Sequence, residues 1–270
     1  IIRIYNKRVR MNEIVIDFAY KALREKWGYI YGTYGHVADQ ITVDRKRYQY
    51  PGVFAEIMND GRTAYEHAKE WIGTRTVDCA GLYKAYLWWD TASNGPKYSS
   101  GTDRSANGIY SSANIYGPIS TIPDTHGLLV WRSGHMGVYI GNGEVIEARG
   151  VAHGVVKTRL GDRNWTAWMK SPLLSYVTNG WTVIAGDQFY YRNGEYVTGP
   201  QTIDGKRYIF GTDGVRLLGF HTVNGRITYV TEDASVLTGW QNIDSNKYYF
   251  DTNGYVLTGW QTIEGRRVYF

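Results

Sequence analysis

The chain has 270 residues, 43% hydrophobic and 15% aromatic, enough to bury a core in one or two domains. Its single cysteine excludes an internal disulfide framework, and six scattered histidines without a ligand-like pair give no metal site and imply no cofactor. The net charge of +5 is uneven, with 22 basic against 16 acidic residues in 1–176 and 8 against 9 in 177–270, a mild basicity that suits a polyanionic surface rather than nucleic acid.

No apolar run approaches the ~18–20 residues of a membrane span, so no membrane insertion is expected. Residues 1–10 are basic, but no uninterrupted apolar stretch follows, so no secretory signal is read there. Residues 12–26 carry Ile14, Phe18, Ala19 and Leu23 at helical spacing. The glycine-punctuated segment Trp27-Gly28-Tyr29-Ile30-Tyr31-Gly32-Thr33-Tyr34-Gly35 reads as loop or short strand. Residues 37–75 are polar and mixed, with a helix predicted at 63–71 and a shorter one after Pro51.

Thr76-Val77-Asp78-Cys79-Ala80-Gly81-Leu82 then opens a strongly apolar helix. Asp78 is a good N-cap, since its carboxylate can accept from the free N–H groups of the first turn. Cys79 would start the helix, where those N–H groups and the macrodipole lower a thiol pKa and favour a nucleophilic thiolate. The plainer alternative is a buried cysteine acting as a small hydrophobe.

Residues 91–127 are rich in Ser, Gly, Asn and Asp and read as mostly loop. Strands are expected at 128–131, 134–140, 144–148 and 155–158, the middle two joined by a tight turn. A helix followed by antiparallel strands makes the front an α+β domain. A cysteine nucleophile needs a base, and that base needs an orienter. If the Gly141-Asn142-Gly143 loop is three residues long, Gly137 pairs with Glu147, and Glu147 shares a face with His135 at diagonal reach. A two-residue loop would send Glu147 to the other face and leave His153 as the replacement.

From Gly180 the chain becomes repetitive. Gly180-Trp181, Gly199-Pro200, Gly219-Phe220, Gly239-Trp240 and Gly259-Trp260 open successive units of about 20 residues, each followed by a turn and a β-rich triplet. A unit this short cannot bury its own apolar face, so a β-hairpin solenoid of about five repeats is expected.

Asp78-Cys79-Ala80-Gly81-Leu82 resembles the Asp-Cys-Ser-Gly-Leu motif of NlpC-type papain-like cysteine peptidases, which cleave peptidoglycan stem peptides. His135-Met136-Gly137-Val138-Tyr139-Ile140-Gly141 is similar to their histidine strand, and Tyr29-Ile30-Tyr31-Gly32 to their aromatic-glycine segment. The resemblance implies Cys79 as nucleophile, His135 as base, and Tyr29, Tyr31 and Asp78 as substrate-site residues. Glu147 in the orienter position is instead similar to CHAP amidases. Residues 37–75 look like an insertion into a catalytic domain of 1–176. The repeats of 177–270 resemble choline-binding or cell-wall-binding repeats, in which aromatics of successive hairpins cage choline. Related repeats in clostridial toxins bind carbohydrate. By that resemblance Trp240, Tyr248 and Trp260 form the best cage, Tyr208 with Phe220 a poorer one, and Pro200 and Thr228 break the pattern.

The sequence is thus read as a peptidoglycan hydrolase, an endolysin or autolysin. It would act at the bacterial cell wall, from the host cytoplasm if phage-borne and otherwise by secretion. Its expected partners are peptidoglycan and choline or wall carbohydrate. Two alternatives are a non-catalytic wall- or glycan-binding protein and a host-directed cysteine deamidase or acyltransferase.

Overall fold

The computed structural model describes residues 12–270; the expectation about residues 1–10 lies outside them. Helix α1 (Asn12–Arg24) buries Val15, Ile16, Phe18, Ala19 and Ala22 on one face. The aromatic-glycine segment forms strands β1 (Gly28–Tyr29) and β2 (Tyr34–Val37) around a turn. Residues 37–75 then hold three helices: α2 (Gln40–Gln49), α3 (Pro51–Phe54) and α4 (Ala64–Lys69). Pro51 starts α3, where its missing N–H costs nothing, and Thr63 with Glu66 forms a capping box on α4.

Helix α2 lacks an apolar periodicity, because Val43 is its one buried residue, and the sequence reading missed it. Its start is fixed instead by Asp39, whose carboxylate accepts from the Thr42 N–H at 2.7 Å. Strand β3 (Arg75–Val77) pairs parallel with β1 and antiparallel with β2. It delivers the chain into helix α5 (Cys79–Trp88), which is buried along nearly its whole length. A helix apolar all round must be covered all round. Strands β2 and β3 of the three-stranded sheet, helix α1, and the strands His135–Tyr139 and Glu144–Gly150 further along the chain all pack against α5.

A short hairpin, β4 (Trp89–Asp90) with β5 (Gly95–Pro96), and helix α6 (Ala106–Ser111) follow. The main sheet contains β6 (Ile115–Pro118), β7 (Leu129–Arg132), β8 (His135–Tyr139), β9 (Glu144–Gly150), β10 (Gly154–Arg159) and β11 (Ala167–Lys170). Its order is β10-β9-β8-β7-β11-β6, with antiparallel pairing throughout. The segment read as mostly loop therefore contributes α6 and an edge strand, and β11 was not anticipated.

The chain divides into two compact units. The first extends to Thr178 and takes in Val183–Gly186 and Asn193–Glu195; the second comprises Asn179–Thr182, Asp187–Arg192 and Tyr196–Phe270. From residue 180 onward the chain is a series of five hairpins. These are β12 (Gly180–Ile184) with β13 (Asp187–Arg192), extended by β14 (Glu195–Tyr196), then β15 (Gly199–Ile203) with β16 (Lys206–Phe210), and β17 (Gly219–Val223) with β18 (Arg226–Val230). The last two are β19 (Gly239–Ile243) with β20 (Asn246–Phe250), and β21 (Trp260–Ile263) with β22 (Arg266–Tyr269).

Two-residue turns join the strands, and Asn224-Gly225 is representative, with φ of 51° and 75°. Such mirror-image turns match the twist of the strands. Ile203, Val223, Val230 and Phe250 are buried in the second unit, while Trp181, Phe220, Trp240 and Trp260 stand exposed on the alternate positions. No described helix is long and apolar enough to cross a membrane.

Candidate functional site

Cys79 is placed by the junction of β3 and α5. Asp78 caps the helix, with one carboxylate oxygen accepting the Gly81 N–H at 2.5 Å and the other the Gly32 N–H at 2.9 Å. Gly81 is required by a close approach, since a Cβ there would lie 2.1 Å from the Thr33 carbonyl oxygen. The thiol Sγ is 3.6 Å from the Gly134 carbonyl oxygen, and the backbone N–H groups of Ala80, Met136 and Cys79 itself face the sulfur.

The expectation of a lowered thiol pKa is corrected. Burial and the Asp78 carboxylate push the Cys79 thiol up to about 12. The helix-start N–H groups act in the predicted direction but are outweighed, because only 9% of Cys79 is exposed. Burial also raises the carboxyl of Asp78 itself, against the opposing charge of Lys84 and the two N–H bonds it accepts.

His135 begins β8, and the turn after β8 sets its partner. The Ile140 N–H bonds to the Glu144 carbonyl at 3.0 Å, and Val138 pairs with Ile146. The loop is thus three residues, Gly141, Asn142 and Gly143, all left-handed at φ of 88°, 49° and 69°. This register sets Gly137 across from Glu147, where a Cβ on Gly137 would come within 2.6 Å of Val145 and 3.3 Å of Glu147. His135 Nε2 and Glu147 Oε2 are 2.6 Å apart. The Trp165 indole stacks on the imidazole at 5.4 Å and 14°.

Glu147 is wholly buried, and further partners hold it in place. Thr158 donates to it at 2.8 Å, Arg163 Nη2 donates at 3.2 Å, and Arg163 Nε lies 2.9 Å from the other oxygen. Burial raises its carboxyl, but the bonds from His135 and Thr158 and the charges of His135 and Arg163 hold it below the ordinary value. The sequence reading missed Thr158, Arg163 and Trp165. Thr158 was legible, since it lies two residues from the β10 partner of Glu147, Val156, on the same face. His153, the replacement candidate, is exposed, and Glu147 makes the contact it would have had to supply.

Two residues flanking His135, Gly134 and Met136, face the thiol, and Glu147 holds Nε2. Glu147 thus engages Nε2 and leaves Nδ1 as the other ring nitrogen. Half-buried Tyr29 places its hydroxyl oxygen on the Cys79 backbone N–H, and burial and the neighbouring Cys79 and Asp78 push that phenol well above its ordinary value. Tyr31, 38% exposed, packs edge-on against Tyr50 at the end of α2.

Cys79 opens into a cleft of about 670 Å³, with Tyr31, Lys46, Tyr50, Lys84 and Asp103 among its walls. A pocket of about 320 Å³ borders Tyr29 and Tyr31 together with Val53, Phe54, Met58 and Val151. The 37–75 segment thus supplies walls to both spaces. It is fastened to the turn after β9 by Trp71, whose indole N–H donates to the Val151 carbonyl at 2.6 Å.

In the second unit the rings gather in three clusters. Trp181 meets Tyr190, Tyr208 and Phe210 at centroid distances of 5.2, 4.8 and 5.8 Å. Phe220 meets Tyr229 at 4.9 Å and Tyr248 at 4.8 Å. Trp240 meets Tyr249 at 5.2 Å and Phe270 at 5.5 Å. The predicted grouping is therefore corrected: Trp240, Tyr248 and Trp260 fall in three different places, Tyr208 belongs with Trp181, and Phe220 belongs with Tyr248.

The reason is register. A two-residue turn puts Tyr249, not Tyr248, opposite Trp240. Tyr248 faces back to the preceding hairpin. Among the described residues Trp260 meets one ring, Tyr269, at 5.3 Å. The junction between β16 and β17 carries no ring cluster among the described residues; Pro200 and Thr228 occupy the aromatic positions there. Thr228 instead donates to the Gly254 carbonyl at 2.7 Å and ties its hairpin to the next.

Residues 237–270, which contain the third cluster, match the choline-binding repeat family. Among solved structures, the chain is similar to choline binding protein F from Streptococcus pneumoniae at 24% identity and a TM-score of 0.31, covering 43% of each chain. It is also similar to a pneumococcal cell wall endolysin from phage Cp-1 complexed with choline, at 21% identity and a TM-score of 0.27, covering 38% of this chain and 36% of that one. The chain spans less than half the length of either. No curated protein matches it.

Proposed function

We propose that the first unit is an NlpC-type, papain-like cysteine peptidase or amidase that cleaves peptidoglycan stem-peptide amides, and that the repeats hold it on the cell wall. The observation that carries the reading is the His135–Glu147 couple at 2.6 Å, set on a strand whose residues on both sides of His135 face the thiol of Cys79. Cys79 Sγ attacks the amide carbonyl carbon while His135 Nδ1 takes the thiol proton. Because burial and Asp78 push the thiol up rather than down, this general-base route is preferred to a preformed thiolate–imidazolium pair. The imidazolium then protonates the departing amine, leaving a thioester on Cys79, and His135 deprotonates the water that hydrolyses it.

Glu147 stabilises the imidazolium and fixes its ring. The Tyr29 hydroxyl accepts from the Cys79 N–H in the resting site and keeps its own O–H to donate toward the developing oxyanion. Lys46 and Arg104, neither with an ion pair among the described residues, line the cleft and suit a substrate bearing carboxylates, as stem peptides do. Choline, the ligand class of the family matched at 237–270, is the proposed occupant of the Trp240 cluster through cation–π contacts.

The test is digestion of purified bacterial walls, followed by turbidity and by mass spectrometry of the released fragments. New peptide amino termini without new glycan reducing ends are expected, and none with Cys79→Ala. Intact walls after treatment with the wild-type chain would sink the reading.

A further inference from the structure

The three aromatic clusters differ in what already covers them. Over the first lies the guanidinium of Arg216, with Cζ 5.2 Å from the Tyr208 ring and 5.9 Å from the Trp181 ring. It is pinned there. Nη1 donates to Gln188 Oε1 at 2.7 Å, and Nη2 donates to the Thr231 carbonyl at 3.3 Å and to the Glu232 carbonyl. The buried Nε has no hydrogen-bond partner.

The third cluster also has a cation nearby, as Lys247 Nζ is 4.4 Å from the Trp240 ring. Lys247 differs in being exposed, on a flexible stem, and without an ion pair among the described residues. The Phe220, Tyr229 and Tyr248 cluster has no side-chain cation over it among the described residues. Nearby Arg226 is turned to Asp251 at 2.6 Å and to the Tyr255 ring at 4.2 Å.

We propose that Arg216 is the built-in cation of the Trp181 cluster, so that this cluster takes no external quaternary ammonium, and that such cations bind only the Phe220 and Trp240 clusters. The inference rests on the reading of the repeats as cation-binding. A guanidinium and a quaternary ammonium compete for the same electron-rich ring faces. To enter the first cluster, a ligand would have to expel a planar, pre-organised group and leave the Thr231 and Glu232 carbonyls without their donor. To enter the third, it need only push aside a solvated lysine. A hairpin that keeps the aromatic pattern has thus been converted from a ligand site into an internal staple.

Calorimetric titration of the full chain with choline chloride reads the number of sites. Two per chain are expected for the wild type, still two for Trp181→Leu, and one for Trp240→Leu. Three in the wild type, with one lost in Trp181→Leu, would overturn the proposal. A second readout needs no ligand: the side-chain protons of Arg216 should be shifted upfield by the rings in the NMR spectrum and should move back in Trp181→Leu. If the wild type binds no choline, the reading of the repeats as a choline anchor fails, while the Arg216 shift still decides this inference. Unshifted Arg216 protons would overturn it whatever the titration gives.

Discussion

Glu147 and Trp240 represent two ways of building a site. Glu147 occurs once, is fully buried, and meets His135, Thr158 and Arg163 on three sides. Trp240 is one of several ring-bearing hairpin positions, is 38% exposed, and shares its work with Tyr249 and Phe270. In the first kind, each polar group is there to satisfy another, so a single loss is felt through the whole set. In the second, contributions are small and repeated. A junction between hairpins can do without a ring cluster, as where Pro200 and Thr228 stand, and the hairpins still form.

The largest effect expected from this contrast is at Cys79. Cys79→Ala should lower wall lysis by at least about 10⁴-fold, the scale on which loss of a nucleophile acts, while sedimentation with walls stays unchanged. Next is Glu147→Gln, which keeps the shape but not the charge; activity should fall on the order of 10²-fold. Full activity in that variant would remove Glu147 from the mechanism. Glu147→Ala should in addition destabilise the first unit by about 3–5 kcal/mol in thermal or urea unfolding, because buried His135 and half-buried Arg163 lose the carboxylate they share.

The same carboxylate gives a pH dependence. Its folded pKa is depressed, so its stabilisation is present above the ordinary carboxylate value and is lost as pH falls through the lower folded value. Acid unfolding of the first unit should be less steep in pH for Glu147→Gln than for the wild type. The thiol makes the opposite test. With Cys79 pushed up to about 12, iodoacetamide labelling should be slow at pH 7 and keep accelerating past pH 10. A plateau near pH 6–7 would mean a preformed thiolate.

The smallest effects belong to the repeats. Trp240→Ala should weaken retention at its own cluster by about 2–30-fold, the equivalent of ~0.5–2 kcal/mol for a cation–π contact. Thr228→Ala should leave retention alone and cost the fold about 1 kcal/mol, through its bond to Gly254.

Much of this was legible in the sequence. The Cys79 helix, the strands at His135 and Glu147, and the repeat period all follow from short-range pattern. The contact between His135 and Glu147 followed from counting residues in one loop. The same counting across the two-residue Asp244-Ser245 turn would have paired Trp240 with Tyr249. The family resemblance, which matches residue types and not register, instead groups Trp240 with Tyr248 and Trp260. The direction of the Cys79 pKa was not legible, because burial is a property of tertiary packing and outweighs the helix-start effect that sequence exposes. Helix α2 was hidden because its polar residues carry no period. Arg163 was hidden because it comes from beyond the strands that hold the couple, whereas Thr158 could have been read from the neighbouring strand.

The turn at Gly141, Asn142 and Gly143 bears on how such a chain can change over evolutionary time. Loops at the surface are where insertions and deletions are ordinarily harmless. Here the loop length is also the phase of the strand that follows. Deleting one residue would reverse every side chain of β9 from Glu144 onward, sending Glu147 to the opposite face and Ile146 or Ala148 toward His135. The hairpin could still form and the six strands still pair, yet the imidazole would have lost its carboxylate. At this turn, length polymorphism among descendants should be forbidden, and replacement at Asn142 should be confined to residues that accept its left-handed φ of 49°.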